Sequence, residues 1–416
     1  MFWTLDFIVD GNLNIGFVFL VYVWILFTLR WIYSKKYKPY IEPYKESISV
    51  VIPVYNENFK LFNRCLKSVS NEGPDEIIVV INGGGKNESA YKKIAKKYNA
   101  KVYTLPEPAK RPATALGIKN AKYDIILLLD SDTVLTKGSL QELLKPFKDP
   151  KVGGVTATQA IINSEVSIVR KFAGWMEDLR FALSQRAQSS FGAVGCLPGR
   201  AIAFRKRLIL PYINDFVQEK FLGQYCTSGD DRYLTSTVLK QGYKTVLQAT
   251  SFVYTNCPDT FIGFLKQQLR WARSSQRETL LSLGWLYKYP FTFFMFITDI
   301  ITPFFFAAVE ISIIKYLIEY GFEFTTVSKF AADIFLSLFA MNLSLGIRQM
   351  PHLKKHPSDL LFLPIYTLFV TLIMTPLRIY GFFTMGNQRW MSRDVIWSDG
   401  TKETKMLVKK EQISVD

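Results

Sequence analysis

Residues 123–133 read YDIILLLDSDT. The aliphatic run has no polar alternation, which fits a short strand buried on both faces. It ends on Asp130-Ser131-Asp132, so two carboxylates leave the strand together. Three runs of the same kind lie upstream: ISVVIPVY at 48–55, EIIVVI at 76–81 and KVYTL at 101–105. Amphipathic stretches at 58–70 and 88–98 separate them. Strand, helix, strand in this rhythm predicts an α/β domain over 45–258, with a mostly parallel sheet and right-handed crossovers. Ligands of such sheets bind beyond the carboxyl ends of the strands, where Asp130 and Asp132 fall.

The flanks have a different character. Residues 14–29 (NIGFVFLVYVWILFTL) carry no charge, and Arg30, Lys35, Lys36 and Lys38 follow. An apolar run of about 20 residues spans a bilayer. No small-residue cleavage site follows it, so 1–34 reads as an anchor and not as a removed signal peptide. Residues 259–288 are amphipathic and basic on one side, as for a helix lying at the membrane surface. Two apolar spans, 291–318 and 330–347, fill a 289–348 membrane region. The loop between them holds Glu319 and Glu323, whereas Arg348, Lys354 and Lys355 follow the second. The positive-inside bias puts 319–329 outside and 348–358 in the cytoplasm. The last apolar run, 360–385, contains Pro376 and Arg378 and precedes a basic tail with Arg389, Arg393, Lys402, Lys405, Lys409 and Lys410. This predicts a broken, interfacial or re-entrant helix over 358–386 and a cytosolic tail over 387–416. The expectation is a multi-pass plasma-membrane protein with three full spans, an outside N-terminus and a cytoplasmic catalytic domain.

Composition agrees with a mixed object. The 416 residues are 49% hydrophobic yet 21% charged, with 51 Lys plus Arg against 35 Asp plus Glu, a net charge of +16. So much apolar surface excludes a disordered chain. Four cysteines exclude a small disulfide scaffold; Cys65, Cys196, Cys226 and Cys257 lack paired zinc-ligand spacing and are expected reduced. The basic excess fits nucleic acid, or an anionic membrane surface with anionic substrates. The membrane pattern favours the second, and no nucleic-acid partner is expected. His352 and His356 are the only histidines, both in a loop between membrane segments. Histidine catalysis and a histidine-rich zinc site are therefore disfavoured, which leaves proton transfer to carboxylates.

Asp130 and Asp132 can share one hard cation, Mg2+ or Mn2+, which also binds phosphates. An Asp-x-Asp triplet alone is weak, since most are solvated turns. Ser228-Gly229-Asp230-Asp231-Arg232 opens a helical run. Capping is its plain role; a sugar transferase also needs a carboxylate base, for which Asp231 is the choice, with Asp230 beside it. Gln267, Arg270 and Trp271 share one helix face by their spacing. Arg can clamp a diphosphate and Trp offers a flat face to a sugar, or the pair anchors the helix at headgroup level. Lys110 and Arg111 form a basic pair before a helix. Asn82-Gly83-Gly84-Gly85 can approach a nucleotide closely but is no P-loop, because Lys86 is followed by Asn87.

In order, these segments are VVIPVYNE (50–57), VVING (79–83), KR (110–111), DSDT (130–133), SGDDR (228–232) and QQLRW (267–271). Together they resemble the processive, membrane-embedded family 2 glycosyltransferases. Within that family, QSSFGAVGC (188–196), FLGQYCTSGDDRYLT (221–235) and QQLRWARSSQRE (267–278) are similar to hyaluronan synthases. EIIVVING (76–83), VGCLPGRAIAFR (194–205) and GYKTVLQATSFVYT (242–255) are closer to type 3 capsular polysaccharide synthases. The resemblance implies a Rossmann-like, GT-A-type cytosolic domain joined to transmembrane and amphipathic interface helices. It implies UDP-glucuronate and a second UDP-hexose as substrates, UDP-glucose or UDP-N-acetylglucosamine, with a nascent polysaccharide and membrane lipid as partners.

Carried over by position, the resemblance places Tyr55, Glu57 and Asn82 at the uridine end and Lys110 and Arg111 near the nucleotide. Asp130 and Asp132 would hold UDP and the metal, and Asp231 would be the base. Gln267, Arg270 and Trp271 would cover the diphosphate and acceptor sugar, with Cys196 beside the acceptor. Trp390-Met391-Ser392-Arg393 stands where relatives have a gating loop, so Trp390 would reach the acceptor and Arg393 the UDP-sugar. Asn82 stands where many members carry Asp, and Leu197-Pro198-Gly199-Arg200 differs from the Ser-Gly-Pro run of hyaluronan synthases. Ser392 replaces a Thr, and Met391 a common glycine.

Overall fold

The computed structural model describes residues 8–9, 12–13, 15–83, 87–320 and 342–388. The four expected strands form as β1 (Ile48–Val54), β2 (Glu76–Asn82), β3 (Lys101–Leu105) and β4 (Ile125–Leu129). β1, β2 and β4 are buried on both faces, as their unbroken apolar runs require. Between them run α2 (Phe59–Glu72), α3 (Glu88–Lys97) and α4 (Lys110–Asn120). The Asn58 side chain caps α2 by accepting the Lys60 and Leu61 N–H groups, and Gly73 ends it at φ +64°.

The sheet is larger and more mixed than expected. It adds β5 (Val134–Leu135), β6 (Val152–Ile161), β7 (Ala201–Arg205) and β8 (Lys244–Thr255), in the order β3-β2-β1-β4-β7-β6-β8-β5. Four of its seven pairings are parallel, as the sequence reading expects, but β7 is antiparallel to both β4 and β6, and β5 is antiparallel to β8. The reason lies in the connection. After β6 the chain runs through α5 (Ile168–Leu179) and returns at the carboxyl end of β4, pairing Ala201 with Leu129. It must therefore run backwards along the sheet. Alternate β1 side chains enter two cores. Ile48, Val50 and Ile52 join Phe62 and Leu66 on one face, while Val51 joins Ile118, Phe204 and Leu234 on the other.

Four further helices follow: α1 (Ile15–Lys36), α6 (Asp230–Lys240), α7 (Phe261–Leu286) and α8 (Pro290–Tyr320). Ile15–Lys36, Pro290–Ser312 and Pro357–Phe383 are long and apolar enough to cross a membrane. Arg30 pairs with Asp299 at 2.9 Å, and Tyr22 meets Thr302 at 2.9 Å, joining α1 to α8. The last run does not break at Pro376. It passes from a 3-10 turn into α-helix, widens to a π-helix over Val370–Met374, then resumes as α9 (Thr375–Phe383). The wide turn absorbs the proline that lacks an N–H. A third core, with Trp175, Phe264, Tyr366 and Phe369, fixes α5 and α7 to this run. Most of the expected 330–347 span and all of 389–416 lie outside the described residues.

Candidate active site

The carboxyl edge of the sheet gathers the acidic residues because three central strands end there. Asn82 is the last residue of β2, Asp130 follows β4, and Glu57 follows β1. Asp130 is set by its own backbone: its N–H donates to Arg200 O at 3.2 Å, and its carbonyl accepts Thr133 N–H at 3.0 Å. The second cluster opens α6, where Asp230 and Asp231 follow Gly229 at φ +83°. A Cβ on Gly229 would stand 2.8 Å from Arg277 Nη2 and 3.0 Å from Glu278 Oε1, so only glycine fits this turn.

Lys110, at the start of α4, ties the clusters together. Its Nζ lies 2.9 Å from Asp130 Oδ1 and 3.0 Å from Asp230 Oδ2. Burial works against the Asp230 charge, but the Lys110 ammonium outweighs it and holds that carboxyl below its ordinary value. Asp231 behaves oppositely. Burial, and then the Asp230 carboxylate, raise its pKa, which makes it the stronger base of the pair. Its Oδ2 accepts Gly199 N–H at 3.2 Å, and its Oδ1 accepts Arg232 N–H at 2.9 Å. Cys196 Sγ is 3.8 Å from Asp231 Oδ2. Burial, followed by the Asp231 charge, pushes that thiol up to about 12, so it stays protonated.

Asp132 is the acidic group in excess. Burial first, then Asp130 and Glu57, raise its carboxyl to about 7. Ser131 Oγ donates to Glu57 Oε2 at 3.2 Å, holding the third carboxylate close. Crowded oxygen donors balanced by one lysine suit a divalent hard cation, and Asp130 with Asp132 could hold it.

A single cavity of about 870 Å3 contains this chemistry. Glu57, Asn82, Lys110, Asp130, Asp132, Cys196, Asp230, Asp231, Gln267, Arg270 and Trp271 all line it, as does Arg30, Asp299, Arg348 and Arg378 farther along. It therefore extends from the sheet edge to between α1, α8 and the last helical run. Asn82 is only 4% exposed, and its Oδ1 has no hydrogen-bond partner, leaving an acceptor for a ligand. Trp271 carries two guanidinium groups near its ring, Arg200 at 5.1 Å and Arg180 at 5.7 Å. Arg200 is fixed by Glu177 at 2.9 Å.

Two expected residues stand elsewhere. Arg111 does not reach the cavity: it is 2% exposed, donates to Phe216 O and Ser228 O at 2.9 Å each, and pairs with Glu219 at 2.7 Å. It braces the loop before α6, which corrects its grouping with Lys110. Tyr55 does not line the cavity either; its ring packs on Gly83, 2.5 Å from where a Cβ would be. Trp390 and Arg393 lie outside the described residues, although Gln388 just before them is held by Thr227 Oγ1 at 2.6 Å and Arg277 Nη1 at 2.8 Å. Sequence reasoning missed Arg180, Arg200 and Arg232. The last adjoins Asp231, and its guanidinium lies 4.5 Å over the Phe296 ring of α8.

Residues 49–210 match the family model "Glycosyl transferase family 2". A hyaluronan synthase from Streptococcus pyogenes is 28% identical over 368 residues, 86% of each chain. An N-acetylglucosaminyltransferase from Azorhizobium caulinodans is 29% identical over 363 residues, 85% of this chain and 88% of that one. Among solved structures, a mannosyltransferase from Pyrobaculum calidifontis in complex with GDP-Man and Mn2+ shares the fold, with TM-score 0.60 at 16% identity, over 86% of this chain and 98% of that one.

Proposed function

From the match of residues 49–210 to family 2 glycosyltransferases and the likeness to the synthase and transferase relatives, we propose that this chain is a membrane-embedded processive synthase that polymerises a glucuronate-containing extracellular polysaccharide. Its substrates are UDP-glucuronate and a second UDP-hexose, UDP-glucose, and the chain leaves through the protein's own membrane passage. One observation carries the reading: the cavity at the two acidic clusters continues between the apolar helices, with Arg30, Arg348 and Arg378 along it. Cations along a polar passage suit a polymer bearing carboxylates. Orientation follows the charge bias, with the catalytic domain in the cytoplasm at the plasma membrane.

The reaction is an inverting displacement. Asp231 accepts the proton of the acceptor hydroxyl, which attacks the anomeric carbon of the UDP-sugar. The Gly199 and Arg232 N–H groups orient that carboxylate. Asn82 and Glu57 lie at the uridine end. Lys110 and Arg270 offset the charge on the departing diphosphate. Mg2+ or Mn2+ held by Asp130 and Asp132 would add Lewis-acid neutralisation there, as the Mn2+ in the mannosyltransferase of the same fold suggests. Trp271 and Cys196 flank the acceptor sugar.

A second reading has UDP-N-acetylglucosamine as the partner of UDP-glucuronate, favoured by what the relatives are called. Incubating the purified protein with UDP-glucuronate and each UDP-hexose in turn decides. Polymer made only with UDP-glucose supports the first reading, and polymer made only with UDP-N-acetylglucosamine the second. A single added sugar points to transfer onto a lipid carrier, and absence of any UDP release overturns the proposal.

A further inference from the structure

The chain has two histidines, and the fold sets both against one carboxylate outside the catalytic cavity's chemistry. Asp178 lies near the end of α5. His352 sits on the helical turn Met350–Leu353 of the loop that joins membrane segments, with His356 four residues on. His352 Nδ1 is 2.8 Å from Asp178 Oδ2, and His356 Nε2 is 4.0 Å from the same oxygen. One ligand atom from each residue falls within 4.8 Å of the others.

The surroundings aim these atoms. The far nitrogen of His352, Nε2, lies 2.9 Å from Asp359 Oδ2. Asp359 is fully buried and is itself held by Lys171 at 2.5 Å. Trp175 stacks on the His352 ring at 4.5 Å and 16°, so the ring cannot swing. His356 is held less closely: Glu165 Oε1 lies 3.6 Å from its Nδ1, beyond hydrogen-bond reach. An outer carboxylate on the far nitrogen is what orients metal-bound imidazoles. Lys355 engages the other oxygen of Asp178, Oδ1, and leaves Oδ2 to the histidines.

We infer that Asp178, His352 and His356 form a zinc site. Two imidazole nitrogens and one carboxylate oxygen suit Zn2+ and not a hard cation, with a fourth position for water. Ligand atoms of a tetrahedral zinc ion stand about 3.3 Å apart, given bonds of about 2.0–2.1 Å. The two separations from Asp178, 2.8 and 4.0 Å, bracket that value, and all three lie within 4.8 Å. The His356 side chain is 34% exposed, which gives the ion a way in. Bound there, zinc would clasp α5 of the catalytic domain to the loop between membrane segments. Histidine count alone argued against such a site; the third ligand stands 174 positions upstream, where no local spacing announces it.

The test uses full-length, untagged protein in detergent, stripped with chelator and titrated with Zn2+ or Co2+. We expect one zinc per chain and the strong visible absorption of tetrahedral Co2+. His356→Ala should lose both, with affinity falling by more than the roughly 10–100-fold typical of an outer partner. Circular dichroism confirms that the variant is folded. Should it not fold, the wild type decides: zinc should shield His356 from diethyl pyrocarbonate, read by mass spectrometry. Zinc content unchanged in a folded His356→Ala, or carbethoxylation unaffected by zinc, overturns the proposal.

Discussion

Lys110→Met removes the cation that, among the described residues, ion-pairs with both acidic clusters. At an effective dielectric of about 20, each contact near 3 Å is worth roughly 5 kcal/mol before desolvation. Breaking a buried pair costs about 3–5 kcal/mol net. Lys110 keeps 18% of its side chain exposed and Asp130 keeps 31%. Solvent screening at those exposures lowers the expected loss to about 2–4 kcal/mol. For a domain of about 200 residues that is a fall in melting temperature of roughly 4–15 °C. Asp230 should also take up a proton more readily, because Lys110 is what holds its carboxyl down. The assay is thermal unfolding of the detergent-solubilised protein without nucleotide, beside UDP titration. Lys110→Met should melt early and bind UDP more weakly, and Lys110→Arg should recover much of both. A Lys110→Met protein as stable as the parent, with unaltered UDP affinity, would refute the bridging role.

Further outcomes concern the same edge of the sheet. Asp231→Asn should abolish sugar transfer while leaving UDP binding intact; loss of UDP binding would show that Asp231 has another role. Because burial and Asp230 raise Asp231 and a base must be ionised to act, kcat/KM should fall on acidification at a pH above the ordinary aspartate value of about 3.9. Asp230→Asn removes the neighbouring negative charge, so any residual activity should show that limb moved to lower pH; an unmoved limb contradicts the assignment. Gly229→Ala should cost about 1–2 kcal/mol from the left-handed backbone alone. It should also cut activity at least about tenfold by pushing Arg277 and Glu278 aside, as initial rates and melting curves would reveal. Asp132→Asn should remove divalent-metal dependence together with activity, and a fully active variant would exclude metal ligation there.

The legible parts of this sequence were those with one physical cause. β1, β2 and β4 are unbroken apolar runs, and only a buried strand suits them. β6 (VGGVTATQAI) interleaves glycine and threonine, and β8 shifts register at Lys244/Thr245 and Gln248/Phe252, which hides its periodicity. Strand direction was not legible, since AIAFR reads alike whichever way β7 runs. Most of the residues that line the cavity were legible because they leave strands or open helices, places where chemistry and geometry coincide. Arg111 was misplaced because neighbours on a helix point about 100° apart; Lys110 faces the cavity and Arg111 the loop behind it. Arg200 was missed because its role depends on Trp271 and Glu177, both distant in sequence.

Arg232 follows Asp231 along the chain, yet its guanidinium rests on Phe296 of a helix long enough to cross the bilayer. It also donates to Ser275 O and Thr279 Oγ1 of α7 at 3.3 Å each. A tilt of α8 would therefore pull on Arg232, whose backbone N–H donates to Asp231 Oδ1. Acyl-chain length sets such tilts through hydrophobic mismatch, at fractions of a kcal/mol per Å. Turnover should therefore vary with the lipid in which the protein is reconstituted, and the thickness of the host membrane becomes a control on bond formation.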